Sequence, residues 1–162
     1  MGYYVRGQGT IAIRKDKVND AYKALCALND HDDLKFGGRH GGEHDCRSPR
    51  PSGMSHHPGR WFSWMDANFP ETCPDLLAVL SMVGFEIYES EPDGDNLLWD
   101  LSYDNKTGQE ELFTKALAPF LVSGEIYWDG EDGTKWREVF TNGEHKVQNA
   151  VIIYGDDDIR PV

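Results

Sequence analysis

The 162-residue sequence is poor in cysteine. Its three cysteines, Cys26, Cys46 and Cys73, are irregularly spaced and cannot all pair within one chain. That predicts a reduced, cytoplasmic protein rather than a disulfide framework. Long apolar runs are also missing. No window approaches the roughly 18 continuous apolar residues of a membrane span, and Met1-Gly2-Tyr3-Tyr4-Val5-Arg6 has no apolar signal-peptide core. Basic charge is scarce, with 16 Lys and Arg against 28 Asp and Glu and a formal net charge of −12. Such a balance argues against direct nucleic-acid binding and against anionic membranes, which both reward clustered cations. Catalytic signatures are absent as well: there is no GxSxG, no P-loop, no GxGxxG after a strand, no HExxH and no CxxC. The reading leans away from an enzyme, and no catalytic residue is assigned.

What is present is a large apolar complement. Hydrophobic residues make up 39% and aromatics 12%, too much for a disordered chain. A chain of this length buries roughly two-thirds of its unfolded surface as one domain. Residues 3–13 alternate as a strand, and the glycines Gly7 and Gly9 suggest a bulge or a close backbone approach. Asp16 is placed to cap a helix whose Val18, Ala21, Tyr22 and Leu25 follow helical spacing. Arg60 to Met65 reads as a short aromatic strand. Thr72 is the expected cap of a second helix, with Leu76, Leu77, Leu80 and Val83 facing inward and Gly84 ending it. Strands are expected at 85–89 and 97–103, on either side of a turn at 91–95. Thr107-Gly108-Gln109-Glu110 matches a capping box for a helix burying Phe113, Ala116, Leu117 and Phe120, which Pro119 should bend or end. Residues 125–129, 134–141 and 146–154 form a meander, its last hairpin marked by Asn142-Gly143. The expected fold is α+β: a two-layer domain with a largely antiparallel sheet of about seven strands, three helices on one face and a C-terminal β-meander. One domain spans 1–155, with a long Gly/His/Arg-rich loop at 30–59, and 156–162 form an acidic tail.

That loop concentrates the unusual chemistry. Between Lys35 and Arg60 there are five basic and two acidic residues, a net of +3, so the remainder carries −15. A structureless stretch of about 30 residues inside a compact domain is usually functional or disordered. His40, His44, Cys46, His56 and His57 are suitable zinc ligands, and a metal would order a loop without its own core. Against zinc, the spacing matches no known finger, and a solvated loop is the plain alternative. The same loop suits a phosphate-bearing small ligand such as a nucleotide. Backbone amides at Gly37-Gly38 and Gly41-Gly42 can approach a phosphate, Arg39, Arg47, Arg50 and Arg60 can pair with it, and Trp61 or Trp64 could stack a base. The plain alternative is that the arginines offset an acidic body and that one or both tryptophans are core. Cys46 near His44 and Asp45 is weak support for a nucleophile. The acidic turns at 93–95 and 129–133 lack calcium-site spacing. Dense carboxylates can also imitate a phosphate backbone, although solubility explains them as well.

Two segments carry a family resemblance. Met1-Gly2-Tyr3-Tyr4 with Gly9-Thr10-Ile11-Ala12-Ile13, and Gly124 to Gly133 with Trp136-Arg137 and Phe140, resemble small uncharacterised proteins of actinobacteria and their bacteriophages. The resemblance spans about a quarter of the chain, at its two ends, and supplies no site residues. It implies a small cytoplasmic accessory protein, plausibly phage-borne, that acts by binding a host protein in host takeover or anti-defence. A non-enzymatic binding protein is therefore the leading expectation, with nucleotide sequestration and a zinc-binding domain as alternatives.

Overall fold

The computed structural model describes residues 2–38, 59–67 and 69–155. Its framework is an antiparallel sheet of six strands, in the order β2-β3-β1-β4-β5-β6. β1 (Tyr4–Arg14) is central, pairing with β3 (Asn96–Lys106) and β4 (Leu121–Gly130). β2 (Phe85–Glu89) closes one edge; β5 (Lys135–Thr141) and β6 (Glu144–Asn149) continue the meander to the other. The α+β reading and the largely antiparallel sheet are as the periodicity implied.

Alternation over most of its length divides the sheet into a dry and a wet face, broken on β1 only where Ala12 is buried between Ile11 and Ile13. On β1, Val5, Ile11 and Ile13 are buried, whereas Tyr4, Arg6, Gln8 and Thr10 are exposed. Trp99, Leu101, Tyr103, Ile126, Trp128 and Phe140 extend the dry face across the neighbouring strands. The helices α1 (Val18–Ala27), α3 (Leu76–Val83) and α4 (Glu110–Leu117) contribute Leu25, Leu76, Leu80 and Phe113 to the same core, and α1 touches both of the others. Gly7 and Gly9 are the close approach their sequence suggested. A Cβ on Gly7 would lie 2.6 Å from the Trp128 ring, and one on Gly9 would strike the Glu125 carbonyl. The core depends on these missing side chains.

Four local expectations are corrected. Arg60 to Met65 is not a strand, which accounts for six strands rather than seven. Trp61, Phe62 and Met65 are all buried, a pattern without alternation, and Met65 N–H turns back to the Phe62 carbonyl. The helix expected to start after Thr72 starts at Leu76 instead; Thr72 ends a separate short helix, α2 (Phe69–Thr72), and Pro74 has no N–H with which to continue it. Asp75 instead caps α3, accepting from the Ala78 amide at 2.8 Å. Asp16 caps nothing, as its carboxylate takes both bonds from Arg14 at 2.9 and 2.8 Å. Half of the capping box survives. Glu110 accepts from Gly108 N–H and from the Thr107 hydroxyl, but the residue at the cap is Gln109.

The final hairpin turns at Asn142-Gly143, with φ of 48° and 84°, as expected of that dipeptide. β6 ends at Asn149 rather than Tyr154, because β5 starts at Lys135 and offers nothing beyond the bond from Ala150 N–H to the Lys135 carbonyl. Among the described residues no helix is long and apolar enough to cross a membrane. The acidic tail at 156–162 lies outside the described residues.

Candidate functional site

The chain leaves the core after α1 and returns at Arg60, and this crossing is the most elaborately fastened part of the structure. Gly37 N–H donates to the Arg60 carbonyl at 2.7 Å, and Arg60 N–H donates to the Gly38 carbonyl at 2.9 Å. These bonds form a narrow antiparallel neck between Gly37-Gly38 and Arg60. The backbones nearly touch: a Cβ on Gly37 would lie 2.4 Å from the Phe62 nitrogen.

Three buried polar side chains hold the neck. Lys35 has a fully buried side chain; its ammonium donates to the Asn29 carbonyl at 2.6 Å and to Asp32 Oδ1 at 2.5 Å. It also sits 5.8 Å from the centre of the Trp61 ring. Lysine is almost never buried unless paired, so the cation, the carboxylate and the aromatic face act as one unit. Asn29 donates from Nδ2 to the Ala67 carbonyl at 3.1 Å, tying the outgoing segment to the returning one. From α4, the Gln109 side chain accepts from Phe36 N–H at 2.9 Å and donates to the Leu34 carbonyl. Around this fastened base lies an apolar rim. Phe36 is 82% exposed, Leu34 and Trp64 are exposed, and the Trp64 ring stacks on Phe62 at 4.8 Å.

Of the residues singled out in the sequence, Arg60, Trp61 and Trp64 are brought together here. Arg39, Arg47, Arg50, His40, His44, Cys46, His56 and His57 lie outside the described residues. Trp61 is 2% exposed and sets its ring edge-on to Phe113 at 5.5 Å, so it is core and offers no face for a base. Arg60 belongs to the neck through its backbone, and its guanidinium donates to the Ser63 carbonyl at 3.4 Å. The Gly37 amide, expected to meet a phosphate, is engaged by Arg60. Asn29, Lys35 and Gln109 escaped the sequence reading because their partners are up to 75 residues away and no local pattern marks them. Among the described residues no group of three or more His, Cys, Asp or Glu is placed to hold a metal ion.

Other features do not assemble a reactive site. A cleft of about 510 Å³ is lined by Tyr127, Lys135, Trp136, Arg137 and Val151. Its two cations are engaged: Lys135 pairs with Asp129, while Arg137 meets Gln148 at 2.8 Å and Glu125 at 3.4 Å. Glu138, 3% exposed, lies with its Oε1 3.3 Å from the Thr114 hydroxyl and its Oε2 3.6 Å from His145 Nε2. Burial lifts its carboxyl to about 7 and lowers the His145 imidazole from its ordinary value. A carboxyl so enclosed is not presented to a substrate. Burial raises the thiols of Cys26 and Cys73, the opposite of what an attacking thiolate requires. Compared with protein-family models, curated proteins and solved structures, the chain matches none.

Proposed function

We propose that this protein is a non-enzymatic binding module that recognises a partner protein through residues 39–58 and the described surface beside them. The observation that carries this reading is the neck: paired backbones, a buried lysine and the Gln109 clamp fix both ends of the intervening residues beside an exposed apolar rim. Clefts and rims of this kind, with an exposed aromatic next to arginine, recur at protein interfaces. Arg39, Arg47, Arg50 and the four histidines of 39–58 supply cationic and polar contacts that an otherwise acidic chain lacks. The resemblance to actinobacterial and phage proteins points to a host protein as the partner and to the cytoplasm as the place. Nucleotide sequestration is disfavoured, since Trp61 and the Gly37 amide are committed to the fold. Zinc rests on His40, His44, Cys46, His56 and His57 alone, and metal analysis of the purified protein tests it.

The test keeps the neck and changes what it carries. Residues 39–58 are replaced by a short Gly-Ser linker, with Phe36, Gly37, Gly38 and Arg60 intact, and both proteins are used as bait in host lysate at physiological salt. The intact protein should retain a specific partner that the replaced form loses. Capture of the same partner by both forms, or of none by either, refutes the reading.

A further inference from the structure

β6 is an edge of the sheet, and its unpaired side is the longest unfinished surface in the described fold. Ala150 N–H donates to the Lys135 carbonyl, so the even-numbered backbone groups of β6 point into the sheet. By the alternation of an antiparallel ladder, those of His145, Val147 and Asn149 point outward. Beyond β6 the chain continues as Val151-Ile152-Ile153-Tyr154, which is 81%, 72%, 86% and 86% exposed. β-branched and aromatic residues are the strongest strand formers. Among the described residues they have no strand partner, because β5 begins opposite Ala150. An edge of this kind is a template for another strand.

We propose that two copies of this chain pair through residues 144–154, antiparallel about a twofold axis at Asn149. The register follows from the strand itself. Outward-facing groups are odd-numbered, so odd residues must face odd residues and the axis passes through a residue rather than between two. An axis at Asn149 pairs every residue from Glu144 to Tyr154, whereas one at Val147 leaves Val151–Tyr154 unmatched. In the chosen register Val147 faces Val151 of the second copy, Lys146 faces Ile152 and Glu144 faces Tyr154, and no like charges are opposed. The charge distribution agrees. Residues 135–154 carry three basic and two acidic side chains, a net of +1 in a chain of −12, so the acidic surface lies elsewhere. Val147 and Val151–Tyr154 give ten apolar side chains across the axis. Paired edge to edge, these side chains flank one another on both faces of the seam while the backbone ladder joins the two strands. The opposite edge, β2, is a poorer acceptor: it has five residues, carries Glu86 and Glu89 and runs into Glu91-Pro92-Asp93. This pairing is independent of the partner carried by residues 39–58.

Sedimentation of the full chain over a concentration series should show a dimer that dissociates on dilution. The double variant Val151→Glu, Ile153→Glu changes only exposed side chains, and should be a monomer with unchanged circular dichroism. Cross-linking then reads the register. Asn149→Cys should form a disulfide dimer under mild oxidant, because directly opposed, hydrogen-bonded residues have Cα atoms about 5.5 Å apart. Val147→Cys should not, since its twofold copy would be about 13 Å away along the strand. Wild type under the same oxidant sets the background from the native cysteines. A wild-type monomer at roughly 100 µM, far above the dissociation constants of specific complexes, overturns the proposal. So do a dimer that survives the double variant, open-ended oligomers, or preferential cross-linking at Val147.

Discussion

Glu138→Gln should make the protein more stable at alkaline pH and leave it nearly unchanged in mild acid. Glu138 faces Thr114, Glu110 and Glu111 from α4 and His145 from β6, with Lys115 beside the histidine. Burial is the main cause of its raised pKa, Glu110 and Glu111 push the same way, and the Thr114 hydroxyl opposes them. The folded carboxyl titrates at about 7 against an ordinary 4.5. A carboxyl raised in the folded state favours folding while it is protonated. That contribution is complete below the unfolded value and is lost as pH rises through the folded one. The span of about 2.5 pK units corresponds to about 3 kcal/mol. Glutamine has nearly the same shape, keeps an oxygen for Thr114 and cannot ionise. At about pH 8 the variant should therefore melt roughly 6–12 °C above wild type, while near pH 5 the two should differ little. Taking the difference between the proteins cancels Asp16, Asp100 and Asp132, whose lowered values affect stability only at acidic pH and which lie away from the substitution. Melting curves by circular dichroism between these limits suffice. A difference that does not change with pH would refute the account of Glu138.

The other substitutions probe the neck and the core beneath it. Lys35→Met keeps the stem but strands the buried Asn29 carbonyl, which should cost about 1–3 kcal/mol in urea denaturation. It should also speed hydrogen exchange at the Gly37 and Arg60 amides more than in the sheet; equal protection there would mean that Lys35 does not hold the neck. Trp61→Ala should cost about 3–5 kcal/mol as a cavity, whereas Trp64→Ala should cost less than about 1 kcal/mol. Similar losses from both would contradict the assignment of Trp61 to the core and Trp64 to the rim.

The parts of the fold that were readable in the sequence are those set by neighbours along the chain. Asn142-Gly143 carries its own turn geometry, Phe85–Glu89 alternates cleanly after a glycine stop, and Val18 to Leu25 follows one helical face. Misreadings come where a second group outcompetes the one that the local pattern points to. Asp16 is a good cap in isolation but lies within reach of Arg14. Thr72 precedes a helical pattern, yet Pro74 moves the start to Asp75. Arg60 to Met65 has the composition of a strand, but Trp61 and Phe62 both turn inward against Phe113 rather than alternating along a sheet. The neck was the least legible feature, because Lys35, Asn29 and Gln109 are ordinary surface residues by type and acquire their role only when α4 and the returning segment meet them. The amides at Gly37 and Gly38 read as a cradle for phosphate, whereas at Gly37 what approaches is the chain's own backbone at Phe62.

The neck also separates two kinds of constraint on sequence change. Inside it, substitutions meet a packed core and a closed set of hydrogen bonds, so most are costly. Beyond it, residues 39–58 begin and end on two hydrogen bonds whose geometry is set by Gly37, Gly38 and Arg60. For any chain segment closed at both ends in this way, doubling the length adds only about 0.6 kcal/mol of closure entropy. A change of length between those bonds therefore carries a small closure cost, set against the several hydrogen bonds that a substitution at Asn29, Lys35 or Gln109 would break.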